Sequence, residues 1–169
     1  MDFLALCAER YSVRSFSDAP IPDEVLAQIL EAGRLAPTAM NFQPQRIFVI
    51  KSEEALAKMR AVKRCYGAGT VLMVCGDTEG ACNRPKVDHY MAEMDCTIAT
   101  TQMMLAAWSL GVGSCWICAF DVPAMAKVFD LPDHITPYIL LALGYPSDTA
   151  EPNPRHFERF PVEDTVKKL

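Results

Sequence analysis

Cysteines, glycines and arginines are the residues of this chain whose spacing could do chemistry. Cys115 and Cys118 form a Cys-x-x-Cys within GVGSCWICAF, residues 111–120. Such a pair works as a redox dithiol when its first thiol is exposed at a helix N-terminus, where the dipole lowers its pKa. Here the segment is apolar and follows a Gly-x-Gly, which reads as an extended strand. Residues three apart in a strand face opposite ways, which opposes both a disulfide and shared metal ligation. Ordinary core or pocket thiols are expected. Cys75, Cys82, His89 and Cys96 recur every seven residues. Zinc ligands normally come in tight pairs, so this series reads as coincidence. His89, His134 and His156 read as surface or capping groups. GAGTVL and GVGSCW each hold a Gly-x-Gly, but each precedes a strand and lacks the third glycine of a dinucleotide loop.

The arginines offer more. RYSVR sets Arg10, Ser12 and Arg14 at alternate positions. In an extended segment all three project to one side. Two guanidinium forks and a hydroxyl suit a phosphate. Arg155 and Arg159, in NPRHFERFP, could join them from the other end of the chain. PTAMNFQP carries Thr38, Asn41 and Gln43 on a loop bracketed by prolines. Amides donate and accept at once, which suits the edge of a heterocycle. The same residue types also serve plain turn chemistry.

The elements that must position these residues read as follows. A short amphipathic helix covers 2–10, and SVRSF is extended. A strong helix starts at Pro22 and Asp23, turns Val25, Leu26, Ile29 and Leu30 to one face, and ends before Pro37. QRIFVI is a strand. Ser52 caps the next helix, TVLMVCG is a buried strand, and residues 77–88 are loop. A long helix follows over 89–110, its apolar side carrying Met91, Met94, Ile98, Leu105 and Trp108. Met103, Met104, Ala106 and Ala107 widen that surface, so a second subunit is expected to supply part of its cover. SCWIC is extended, Asp121 caps a short helix, and PYILLALGYP is a buried strand. The tail from 147 is rich in proline and charge. Helices and strands mix without strict alternation, which predicts an α+β fold.

The 169 residues suit a single domain over 1–169, and 51% of them are hydrophobic, enough for a packed core. A net charge of −5 argues against a general nucleic-acid binder. No apolar run reaches transmembrane length, and the N-terminal stretch does not read as a signal peptide. Seven cysteines without an export signal read as free thiols in a reducing cytoplasm.

RYSVRSF, RLAPTAMNFQPQRIFVI, ATTQMMLAAWSLGVGSCWICAFD and PYILLALGYP, with the basic tail behind them, together resemble the FMN-dependent nitroreductase family in order and spacing. The resemblance implies a mixed or antiparallel central sheet flanked by helices, in an intertwined homodimer with FMN at the subunit interface. Arg10 and Ser12 are then expected at the FMN phosphate and ribityl chain, and Arg14 at the pyrimidine edge. Pro37, Thr38, Ala39, Asn41 and Gln43 would come from the partner subunit. The backbone at Cys118 and Ala119 would reach the flavin N5 and O4 edge, and Arg155 and Arg159 would complete the phosphate site. The family's activity is hydride transfer from NADH or NADPH through FMN to nitroaromatics, quinones or similar acceptors, by ping-pong kinetics. No catalytic acid or base is required of the protein, and no metal. Thr38-Ala39 stands where the family commonly has Ser-Ser, and Gln45 where an aromatic often follows Gln-Pro. The chain is short for the family, so the lid over the flavin is expected to be reduced or built from residues 77–92. A flavin-storage protein of the same fold and a cysteine-based redox or metal protein are the alternatives.

Overall fold

The computed structural model describes residues 2–82 and 91–169. Helices α1 (Phe3–Glu9) and α2 (Asp23–Arg34) precede strand β1 (Gln45–Ile50). Then come α3 (Glu53–Val62), β2 (Thr70–Asp77), α4 (Met91–Ser109), β3 (Gly113–Ile117), α5 (Val122–Val128) and β4 (Ile135–Gly144). A single-turn α6 (Val162–Thr165) follows. The expected caps are in place. Ser52 accepts from the Ala55 amide at 3.3 Å and Asp121 from the Ala124 amide at 2.9 Å. Asp2 does the same for α1. Gly111, at φ +77°, turns the chain out of α4.

The strands form one antiparallel sheet in the order β1-β2-β4-β3. Alternate residues of its central strands feed two cores. Val71, Met73, Cys75, Leu140 and Ala142 pack with Leu56 and Met59 of α3 and Met125 of α5. Leu72, Val74, Ile139, Leu141 and Leu143 pack with Leu26 and Ile29 of α2 and Met103 and Ala107 of α4. Helices therefore cover both faces, which is why β2 and β4 read as unbroken apolar runs. The β2–β4 register shifts between Val74 and Cys75, whose partners are Ile139 and Pro137. One extra residue, Tyr138, reverses the facing of the strand. Ile135 accordingly joins the first core although Ile139 belongs to the second.

Helix α4 departs from the predicted face. The residues it turns inward are Ala92, Asp95, Cys96, Ala99, Thr100, Met103 and Ala107. Met94 and Ile98 are 44% and 40% exposed, and Met91, Leu105 and Trp108 are half-buried. A helix apolar on nearly every side carries no phase in its sequence, and packing settled it by size. Small residues go where the helix lies closest to the sheet: a Cβ on Gly76 of β2 would lie 2.9 Å from the Ala92 Cβ. Most of the larger side chains remain on the open side, the exception being Met103, which is buried where Gly33 of α2 makes room for it. Residues 89 and 90 of the predicted helix, and 83–88 of the predicted loop, lie outside the described residues.

Candidate active site

The segment that carries the first arginines is held at both ends by the sheet. The Val13 amide donates to the Ser114 carbonyl at 2.8 Å, and the Ser17 amide to the Tyr145 carbonyl at 2.9 Å. Val13 is fully buried. Its seat is made by Gly113, where a Cβ would lie 2.7 Å from the Val13 side chain. Gly144 makes the same room for Phe16, at 2.9 Å. Gly113 of GVG and Gly144 of LALG thus admit a side chain from a crossing segment. With Val13 turned in, its neighbours Ser12 and Arg14 turn out.

The C-terminal tail closes over the same place. Tyr11 lies edge-on to Trp108 of α4, with ring centroids 5.2 Å apart, and its hydroxyl donates to the Ala150 carbonyl at 3.4 Å. His156 Nε2 lies 3.0 Å from the Ala8 carbonyl oxygen, so this nitrogen carries the proton, and its ring also meets Phe157. Asn153 caps the turn Pro154–Phe157 through the Arg155 amide. The result is a cleft of about 310 Å³ lined by Arg10, Tyr11, Ser12, Arg14, Asn153, Arg155, His156 and Arg159. Four arginines from the two ends of the chain line it, and among the described residues no carboxylate does. A site of this composition takes an anion with several oxygens.

Arg14 leads out of the cleft. Its guanidinium sits 5.9 Å from the centroid of the Tyr66 ring, a cation–π distance. Beyond Tyr66 opens a second concave surface of about 570 Å³, edged by Arg60, Lys63 and Arg64. Cys65 and Tyr66 both hold positive φ, at 46° and 57°, a conformation side-chain-bearing residues seldom adopt.

The other predicted site residues lie elsewhere. Pro37, Thr38, Ala39, Asn41 and Gln43 are absent from the lining of the arginine cleft, as are Cys118 and Ala119. The 37–43 loop makes a single turn at Ala39–Asn41, with Met40, Asn41 and Gln43 all at positive φ. Thr38 Oγ1 accepts from the Gln43 amide at 3.0 Å, and Gln43 Nε2 donates to the Asn41 carbonyl at 3.3 Å. The Ala39 amide donates to Asp95 Oδ1 at 2.9 Å. Cys118 and Ala119 are exposed just past the end of β3.

The Cys-x-x-Cys divides as its strand geometry predicts. Cys115 is buried and Cys118 is exposed, and both are free thiols. Cys118 accepts the Trp116 indole N–H at 2.9 Å. Burial raises the Cys115 thiol above its ordinary value, against a smaller opposing effect of Arg14. Cys75 and Cys96 do meet, the Cys96 thiol donating to the Cys75 carbonyl at 3.2 Å. Burial pushes both up to about 12, so each is a neutral thiol. Among the described residues no group of three or more His, Cys, Asp or Glu could hold a metal. His89 lies outside them. No helix among them is long and apolar enough to cross a membrane.

The profile of the nitroreductase family matches residues 7–66 and 61–145. The chain belongs to the nitroreductase family. A Methanothermobacter thermautotrophicus protein provisionally named NADH dehydrogenase/NAD(P)H nitroreductase is 30% identical, over 95% of this chain and 88% of its own. A crystal structure of a nitroreductase family protein from Clostridium difficile 630 is 36% identical, with a TM-score of 0.93 over 99% of this chain and 98% of that one. A provisional nitroreductase from Exiguobacterium sibiricum 255-15, solved in complex with FMN, shares the fold at 24% identity. Its TM-score is 0.85, over 100% of this chain and 98% of that one. Within this family fold, sequence reading missed Tyr11, Asn153 and His156 of the cleft, Tyr66 beside Arg14, and Asp95 beneath the loop. Only Tyr11 and His156 carried a signal, each being adjacent to a candidate arginine.

Proposed function

We propose that this nitroreductase-family protein is an FMN-dependent oxidoreductase that uses NADH or NADPH to reduce nitroaromatics, quinones or similar acceptors. One observation carries the reading: an acidic chain gathers Arg10, Arg14, Arg155 and Arg159 around one cleft that no carboxylate of the described residues lines. The donor set fits a phosphate monoester of about two negative charges. FMN bound by the Exiguobacterium sibiricum relative and NAD(P)H in the name of the Methanothermobacter protein support the same reading.

FMN, when bound, supplies the hydride chemistry. Arg10, Ser12, Arg155 and Arg159 bind its phosphate and ribityl end. Arg14 reaches toward the pyrimidine edge, where a cation favours the charge that reduction adds. Pro37, Thr38, Ala39, Asn41 and Gln43 come from a partner subunit, which accounts for their absence from the cleft of a single chain. The backbone at the exposed Cys118 and Ala119 would hold the edge of the flavin ring. One open face then serves donor and acceptor in turn, giving ping-pong kinetics. The chain acts as one domain in an intertwined homodimer. Exposed Met94 and Ile98 on α4, Met40 and Phe42 on the loop, and Phe160 and Val166 in the tail support such an interface. Seven free thiols support a reducing, cytoplasmic setting.

The test begins with colour and mass. Purified protein should be yellow and dimeric by light scattering, and anaerobic NADH or NADPH should bleach it. An FMN-loaded protein that neither donor bleaches would be a storage protein. A stable FMN-loaded monomer would refute the shared site, and intersecting double-reciprocal lines would refute the single open face.

A further inference from the structure

Asp95 is a carboxyl that none of the roles above uses. It is 2% exposed, in the second turn of α4. One oxygen accepts the Ala39 amide at 2.9 Å, and the other is buried with no hydrogen-bond partner among the described residues. A buried carboxylate kept for its charge is paired with a cation, and no salt bridge reaches this one among the described residues. What the site uses is one acceptor atom.

That atom holds a loop which needs holding. Met40, Asn41 and Gln43 have φ of 51°, 59° and 51°, a region that Met and Gln resist and Asn tolerates better. Other ties come from the loop itself, from the neighbouring strands and from Cys82, whose thiol lies 3.7 Å from the Met40 sulfur. Thr38 holds the Gln43 amide, and Arg46, paired with Asp77, holds the Gln43 carbonyl at 3.0 Å. Asp95 alone among these reaches the loop from α4, beside the exposed Met94 and Ile98. We propose that Asp95 is a positioning residue: by accepting the Ala39 amide it presets the 37–43 loop to meet the flavin, tying the cofactor loop to the helix at the subunit interface. This rests on the functional reading above, in which the loop contacts FMN.

Hydrogen exchange at the Ala39 amide in FMN-free protein, and FMN affinity by fluorescence titration, test it together. Asp95→Ala should speed exchange at Ala39 and weaken FMN binding by about tenfold or more. Asp95→Asn keeps an acceptor oxygen and should leave both within about twofold of wild type, since no salt bridge among the described residues engages the charge. Ala39→Pro removes the donor from the opposite end of the bond and keeps Asp95. Thr38 is already extended, at φ −131° and ψ 159°, as a residue before proline must be. This variant should weaken FMN as Asp95→Ala does, and it carries the test if Asp95→Ala does not fold. Faster exchange with unchanged FMN affinity overturns the proposal, as does an Asp95→Asn as impaired as Asp95→Ala, or an Ala39→Pro with wild-type affinity. Wild-type protein that takes up no FMN would end the functional reading instead, and the exchange data would still report whether Asp95 holds the loop.

Discussion

The arginine cleft and the 37–43 loop are both polar surface features, yet they are held in opposite ways. Residues 12–17 are extended, anchored by ordinary backbone hydrogen bonds, with Val13 and Phe16 seated over Gly113 and Gly144. The loop has three non-glycine residues at positive φ and hangs on a buried carboxyl oxygen. The cleft gathers charge, and long guanidinium side chains reach their target without demanding much of the backbone. The loop offers its backbone with the polar groups of Thr38, Asn41 and Gln43, so its shape must be set by the chain itself. Charge is therefore assembled within one chain at little conformational cost, whereas the loop proposed to meet the flavin carries backbone strain.

The sharpest test of that division is to remove charge. Arg10→Ala is expected to weaken FMN retention by ~1.5–3 kcal/mol, the worth of a charge-assisted bond, and excess FMN should restore most of the rate. Arg14→Ala differs in kind. It should also lower the flavin's reduction potential, because a cation is lost beside the charge that reduction adds, and added FMN would not repair this. Spectroelectrochemical titration of the two variants separates them. An unchanged potential in Arg14→Ala would return that residue to a phosphate or structural role.

The next test removes the seat and leaves every arginine in place. Gly113→Val would drive a side chain into Val13 and toward the Gly144 carbonyl, 3.2 Å from the added Cβ. Overpacking of this sort costs about 1–3 kcal/mol. The displaced segment should carry Ser12 and Arg14 with it and weaken FMN binding. Gly111→Ala is the control: its φ is +77° but the space around it is open. It should cost ~1 kcal/mol in a denaturation midpoint and leave FMN affinity alone.

The two regions also differ in how far their residues announced them. Alternation in RYSVR is enough to turn Arg10, Ser12 and Arg14 one way, because strand periodicity is a local property. The polar side chains of PTAMNFQP are equally visible, but their positive φ values and the tie to Asp95 depend on a residue 56 positions from Ala39. Helix α4 hid its orientation for a related reason. With Met, Leu, Ile and Ala around most of its circumference, only the space left by the sheet chose Ala92, Cys96 and Ala99 as the inner face. The sheet was easier to read, since the unbroken apolar runs of β2 and β4 could only be covered strands.

The cores beneath the two regions predict a pH dependence. Cys96 adjoins Asp95 in sequence and meets Cys75, and burial pushes both thiols up to about 12 from 9.0. A raised folded pKa means that the folded chain holds the proton more tightly than the unfolded one. The stabilisation is therefore complete below pH 9 and is lost progressively as the pH rises from 9 toward 12. Urea midpoints should fall across that window, and Cys96→Ala should flatten the fall while lowering the midpoint at neutral pH. A fall of equal steepness in the variant would assign the loss to other groups.

Cys115 and Cys118 give the smallest expected effect and the clearest contrast between core and surface. Cys115 is buried in β3 within the core that includes Cys65 and Ala142. Cys115→Ser leaves a hydroxyl in an apolar setting, at a cost of ~1–2 kcal/mol. Cys118 is exposed, and its only described bond is accepted from the Trp116 indole, which a serine oxygen can also accept. Cys118→Ser should leave the denaturation midpoint within about 0.5 kcal/mol of the parent. The double variant, loaded with FMN, should turn over NADH or NADPH with an acceptor at close to the parent rate, because neither sulfur has a place in the hydride path. Retained flavin with abolished turnover in that variant would instead make the pair a working dithiol, against the geometry that sets one thiol in the core and the other in solvent.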